Sequence, residues 1–199
     1  MTFPAWIAAI VFFMQLPVPL YWLVLHPAKS FWRKRRNAAF VFALLLSWLP
    51  VTVLLVIFHR ELLRNVSPSR WQMALGFLLI ALEVWMFSRV RRDLGGARLV
   101  GATELSGGGE IARSGIYARM RHPRYTGSFL AILGACLLAA TPAMWMTAAV
   151  WTLLMRTSIA LEEQELRGRF GDSYLDYCRR VPGFIPRLFP HRQQKLAGR

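Results

Sequence analysis

Acidic residues are scarce in this chain, and cysteines scarcer. Ten Asp and Glu stand against 25 Lys and Arg, a formal net charge of +15, and 199 residues hold two cysteines. Cys136 falls in an apolar run and Cys178 in the basic C-terminal region, so they are expected at different depths. That excludes a disulfide framework or a cysteine metal cluster, and no metal site is expected. Also lacking is any polar stretch long enough to fold as a soluble body. Without one, the basic excess has no surface on which to present itself to nucleic acid.

What the chain has is apolar length. Hydrophobic residues make up 55% of it, and they are clustered. Phe3–Leu25, Ala38–Phe58 and Trp71–Ser88 each approach the ~20 residues that cross a bilayer. Gly127–Ala140 and Ala143–Leu161 follow, separated only by Thr141–Pro142. One such run can be a buried core helix; five in series predict an all-α, polytopic membrane protein. The last two runs read as a helical hairpin, because the turn between them is so short. The opening MTFPAW has no basic n-region, so the first run is expected to be a retained crossing rather than a signal peptide. Pro17, Pro19 and Pro50 sit inside the first two runs, where they bend the helix and free carbonyls. Gln15 is close enough to satisfy one of them.

Lys and Arg lie between the runs. His26–Asn37 carries five and no acid, Arg89–Tyr125 carries eight Arg, and the tail from Arg167 is basic again. His59–Arg70 carries three Arg and Glu61. The positive-inside rule then predicts an external N-terminus, five crossings and a cytoplasmic C-terminus, with the basic loops near anionic lipid headgroups.

Three segments carry more chemistry than anchoring needs. The first, Ser106–Gly127, ends in YARMRHPRYTG, where Arg119, Arg121, Arg124 and His122 precede an apolar run. Pro123 suits a first helical turn, whose unpaired N–H groups attract an anion. The second is LEEQELRGRFGDSYLDY, Leu161–Tyr177. On a helix Glu163 has Arg167 at i+4 and Glu165 has Arg169, which explains both carboxylates as a solvated face. Glu162 has Ser158, Leu166 and Phe170 at the corresponding positions, so it faces inward and needs a partner. That partner is either an Arg of the preceding loop or a polar ligand. The third is RRVPGFIPRL, Arg179–Leu188. Glu83, inside the third run, is a further candidate because an ionisable residue within a crossing is costly. It is expected to face the bundle, lining an acceptor cavity or meeting the basic loop.

In that order, GIYARMRHPRYTG, EE, RFGDSYLDY and VPGFIP resemble the isoprenylcysteine carboxyl methyltransferase family and the related phospholipid N-methyltransferases. The resemblance covers about Gly109 to Leu188. It implies an integral membrane methyltransferase using S-adenosyl-L-methionine, with a lipid or lipidated acceptor. It divides the chain into residues 1–90, three N-terminal crossings, and 91–199, a catalytic region of loop, hairpin and tail. It implies cofactor contacts at Gly109, Glu110, Ile111, Ala112, Tyr117, His122, Pro123, Arg124, Tyr125 and Glu162. Catalytic roles would fall to Arg121, His122 and Tyr125, and acceptor contacts to Glu83, Arg156 and Ser158. Where the prenylcysteine enzymes place an Arg one turn before the Glu, this chain has Ser158, which leaves the acceptor open. A sulfonium methyl is already activated, so the protein's work is alignment and exclusion of water. The alternatives are a phospholipid or amine N-methyltransferase, and an NADPH-dependent membrane reductase of the sterol-reductase type.

Overall fold

The structure is a computed structural model, and it describes residues 2–27, 31–32, 34–64, 67–99 and 110–187. Every regular element among these residues is helical. Helices α1 (Phe3–Gln15) and α2 (Pro17–Leu25) form one bent span. Then come α3 (Arg36–Ile57), the single turn α4 (His59–Leu62), α5 (Arg70–Leu94) and the single turn α6 (Gly96–Leu99). A 3₁₀ turn at Gly115–Ala118 leads to α7 (Pro123–Ala139), α8 (Pro142–Phe170) and α9 (Asp172–Arg180).

Among the described residues, four stretches are long and apolar enough to cross a membrane: Phe3–Leu25, Asn37–Ile57, Arg70–Leu94 and Pro142–Phe170. The expected fifth, α7, has 17 residues. At 1.5 Å per residue it reaches about 25 Å, short of a ~30 Å hydrocarbon core. Its role is central instead: Ala131, Ile132, Ala135, Cys136 and Leu138 are all buried.

Helix α7 turns into α8 at Ala140, whose φ is 56°, and Thr141 caps α8 through Met144 N while donating to Leu62 O at 2.8 Å. Yet the principal neighbours of α7 are α5 and α1, not α8. The reason is small residues. A Cβ on Gly134 would lie 2.7 Å from the carbonyl oxygen of Gly76, so α5 and α7 touch backbone to backbone.

The bend in the first span is sealed from across the bundle. Pro19 has no N–H, which leaves the carbonyl of Gln15 without its helical donor. Trp151 Nε1 donates to that oxygen at 2.9 Å, and Ser158 Oγ donates to Pro19 O at 3.1 Å. The Gln15 side chain, expected to do this, goes elsewhere: its Nε2 donates to Glu83 Oε1 at 3.2 Å.

Two helices run well past their apolar runs. α5 starts with a capping box between Ser69 and Gln72 and continues through Arg91 and Arg92 to Leu94. α8 continues nine residues beyond Leu161, carrying Glu162, Glu163 and Glu165 on an unbroken helix. These extensions, with the start of α7, build the site.

Candidate functional site

The segment before α7 is pinned at three points. Gly115 has φ +59°, and a Cβ there would lie 2.0 Å from Asp93 Oδ2. Only glycine fits, and the Asp93 carboxylate then accepts from Ile116 N at 2.7 Å. Arg113 Nη2 donates to Ser173 O at 2.9 Å, and Tyr177 OH donates to Tyr117 O at 2.7 Å, which docks the segment on α9. The tail lies alongside it. Arg121 N donates to Pro182 O and His122 N to Gly183 O, both at 2.9 Å, and Arg187 N donates to Arg119 O at 3.1 Å. So RMRHP and VPGFIP co-occur in the sequence because they share backbone hydrogen bonds.

Glu163 locks this layer to α8. Its Oε1 accepts from Arg121 Nη2 and from His122 Nε2, each at 2.9 Å, while Oε2 takes Arg167 Nη2 at 3.0 Å. The i+4 pair with Arg167 exists, but the solvated face does not: the Glu163 side chain is 17% exposed. One carboxylate serves a helical neighbour and two loop residues at once. A carboxylate only accepts, so His122 carries its proton on Nε2. His122 is 4% exposed and stacks on Phe184 at 5.3 Å between centroids. Arg121 spends Nη1 on Cys178 O and Val181 O. Two of the three expected catalytic residues, Arg121 and His122, are therefore committed to holding the tail against the start of α7. Glu165 meets His26 Nδ1 at 2.9 Å, a tie to the end of α2 that its helical spacing does not reveal.

Two adjoining cavities open here. The larger, about 350 Å³, is walled by Tyr21 and Trp22 of α2, Phe40 and Trp48 of α3, and Val90 of α5. The smaller, about 100 Å³, lies between Glu110, Ile111 and Ala112 on one side and Leu166, Phe170, Tyr174 and Tyr177 on the other. Leu94, Arg98, Tyr117, Arg121, His122 and Glu162 line both. Glu162 is thus in the partition, and Leu166 and Phe170 share its face as the helical spacing predicts. Its Oε2 is buried and has no hydrogen-bond partner among the described residues. Tyr117 stands opposite. Burial first, then the Glu162 carboxylate and Tyr177, push its phenol above the ordinary range, so it keeps its proton. Burial does the same to Tyr174 and Tyr177.

The expected site residues separate by chamber. Glu110, Ile111 and Ala112 line the small cavity, Pro123, Arg124 and Tyr125 the large one, and Tyr117, His122 and Glu162 both. Gly109 and the glycines before it lie outside the described residues. The acceptor candidates divide as well. Arg156 is exposed and lines neither cavity. Ser158 is fully buried and donates to Pro19 O and Leu154 O, because α8 turns it into the α2 interface. Glu83 faces the bundle and lies 3.5 Å from Arg124 Nη1, on the basic-loop side of the expectation. Sequence reasoning missed Arg98 and Asp93. The Asp93–Gly115 pair left one signal, an acid ending a basic helix with a lone glycine downstream.

A bundle of apolar spans with a two-chambered site where α5 ends and α7 begins defines a multi-pass membrane protein. The phospholipid methyltransferase family matches residues 71–173, from the start of α5 to the start of α9. The chain belongs to that family. Among its relatives is the rat protein-S-isoprenylcysteine O-methyltransferase, 32% identical over 148 residues, 72% of this chain and 50% of that one. The Schizosaccharomyces pombe protein of the same name is 31% identical over 115 residues, 57% of this chain and 48% of that one. Methanethiol S-methyltransferase 2 of Bradyrhizobium diazoefficiens is 38% identical over 82 residues, 39% of this chain and 29% of that one. The chain thus spans half or less of the length of these curated relatives. No solved structure gives a significant match.

Proposed function

We propose that this protein transfers a methyl group from S-adenosyl-L-methionine to an apolar acceptor at the membrane–cytosol interface. One observation carries the reading. Glu162 sits in the wall between a small cavity of mixed lining and a larger, mostly apolar one, with a buried carboxylate oxygen that has no hydrogen-bond partner among the described residues. A buried carboxylate oxygen needs a donor or a cation. A ligand with a sulfonium and an ammonium supplies both kinds of partner.

The small chamber fits that cofactor by its donor set. Glu162 would take its positive groups, Arg98 its carboxylate, and Tyr117 and Phe170 would flank its base. The backbone of Glu110, Ile111 and Ala112 would follow its length. When bound, the cofactor supplies a methyl carbon already activated for displacement. The protein residues then bind, orient and exclude water. Arg121 and His122 hold the chamber closed through Glu163, and Tyr125 borders the acceptor side. The large chamber is apolar enough for a lipid or lipidated acceptor, the class named by the isoprenylcysteine relatives. In this reading residues 1–90 are the membrane scaffold and 91–199 the catalytic region. α7 and α8 form a fifth crossing and hairpin, and basic loops face cytoplasmic anionic headgroups.

Titration calorimetry with S-adenosylmethionine on the purified protein tests the cofactor, with NADPH as the competing arm. Binding of NADPH alone would overturn the proposal. A C-terminal reporter active only on the external face would overturn the orientation.

A further inference from the structure

The tail beyond α9 carries an apolar tip that neither cavity uses. Val181 is buried, but after it the side chains turn outward: Phe184 is 48% exposed and Ile185 81%. Neither lines a cavity. Pro182 and Pro186 bracket the tip and restrict its backbone. Two large apolar side chains on a stiffened loop are unfavourable in water.

Three helices fix the height of the tip. Gly183 O accepts from His122 N at 2.9 Å, and the Phe184 ring stacks on His122, the residue before α7. Thr126 Oγ1, one turn inside α7, lies 3.4 Å from Phe184 O. Arg124 lies over Phe87 of α5, its guanidinium carbon 5.0 Å from the ring centroid, just before that helix's apolar run ends at Ser88. On α8, Glu163 meets His122 just after the apolar run ends at Leu161. So α5, α7 and α8 all change from apolar to charged at the height of the tip, as they would where hydrocarbon gives way to headgroups. Trp85 and Arg89 of α5 mark the same height: both are exposed, and the guanidinium carbon lies 5.6 Å from the ring centroid.

The surroundings of the tip match that boundary. Phe129, three residues after Thr126, is the exposed side chain of α7, so the outward face of that helix runs on into Phe184. Arg119 and Arg187 are exposed beside the tip, joined by Arg187 N donating to Arg119 O at 3.1 Å. Carboxylates of the same layer are directed elsewhere. Glu163 takes Arg121, His122 and Arg167, Asp176 takes Arg179, and Glu162 opens into the cavities. An apolar tip flanked by arginines suits a lipid interface, whose hydrocarbon edge takes Phe and Ile and whose phosphates take guanidinium groups.

We infer that Phe184 and Ile185 insert into the lipid boundary on the side of the site and anchor the tail there. Pro182 O and Gly183 O pair with Arg121 N and His122 N, so fixing the tip also fixes a wall shared by both cavities. The bilayer then holds this wall from outside as Glu163 holds it from α8. The inference rests on the membrane-spanning class and not on methyl transfer.

The test places spin labels on single introduced cysteines in a Cys136→Ala/Cys178→Ser background, with the protein in phosphatidylcholine nanodiscs. Ile185→Cys is compared with Phe129→Cys, facing hydrocarbon, and with Asp172→Cys at the start of α9, beyond a helical extension of about 10 Å. The Ile185 label should collide with dissolved oxygen in preference to a water-soluble nickel chelate, as the Phe129 label does, while the Asp172 label shows the reverse. An Ile185 label as open to the chelate as that at Asp172 overturns the inference. A label shielded from both reagents does so too, because the tip would then lie against protein. Hydrogen exchange reads the anchoring itself. Ile185→Asp alters an exposed side chain, so the core stays intact, and amide exchange across Arg119–His122 in nanodiscs should rise about tenfold. Unchanged exchange there overturns the anchor, since lipid contact would then hold nothing in place.

Discussion

Glu163 Oε1 accepts the Nε2 proton of His122 at 2.9 Å, joining the long helix α8 to the first residue before α7. Because the same oxygen takes Arg121, whose Nη1 donates to the Cys178 and Val181 carbonyls, this carboxylate ties α8 to the loop before α7 and, through Arg121, to the tail. Hydrogen bonds to charged groups contribute about 1.5–3 kcal/mol each. Glu163→Ala should therefore cost about 3 kcal/mol or more and lower the thermal midpoint by roughly 6–12 °C. Differential scanning fluorimetry in detergent checks it; a shift as small as that of an exposed ion pair would contradict the role.

Glu162 is the neighbour with the opposite expectation. Glu162→Gln keeps the shape and removes the charge, so folding should persist while S-adenosylmethionine binding weakens about tenfold to a hundredfold. Glu165→Gln, at the His26 contact, should leave that affinity nearly unchanged. Calorimetry on the two variants, with melting curves alongside, distinguishes a binding carboxylate from a general loss of negative charge.

Gly115→Ala should destabilise by about 2 kcal/mol or more, from the positive φ and the collision with Asp93. Asp93→Ala alone loses one hydrogen bond to Ile116 N, about 1–2 kcal/mol. The double variant should be more stable than the two single losses predict, because removing the carboxylate removes the collision. Strict additivity of the midpoint shifts would show that the two residues do not touch.

Trp151→Phe leaves the ring space filled but strands the Gln15 carbonyl that Pro19 exposes. A buried, unsatisfied carbonyl costs about 1–3 kcal/mol. If the variant melts with the parent, another donor serves that oxygen.

Alkaline pH should unfold the cytoplasmic layer. Tyr117, Tyr174 and Tyr177 are all pushed above the ordinary phenol value of about 10, with burial the largest cause. The folded state therefore holds protons that the unfolded chain releases. Stability is unaffected below about pH 10 and falls as pH rises above it. Tyrosinate absorbance should rise together with loss of tertiary signal, not before it.

The helices were legible in sequence because their information is local. Apolar length marks each span, and proline and glycine mark the ends. Three-and-four spacing put Glu162 beside Leu166 and Phe170, where they share a chamber wall. Cys136 is buried in α7 and Cys178 lies on α9. The partners of the charged residues were not legible in that way. Glu163 has Arg167 four residues on, and that pair exists, but the other carboxylate oxygen reaches back over forty residues to Arg121 and His122. Local spacing cannot count the second oxygen. Ser158 looked like an acceptor contact from its place in a motif, yet the bend at Pro19 turns a carbonyl toward it. Glu83 could be recognised as costly within an apolar run, but not as the counter-ion of Arg124. That depended on Gly76 and Gly134 letting α5 and α7 touch backbone to backbone. The sequence by itself determined the helices, their apolar faces and the family motifs. The tertiary structure decided which buried charge each arginine answers, because in a low-dielectric interior a charge is paired by whatever packing brings within about 3 Å, at any sequence distance.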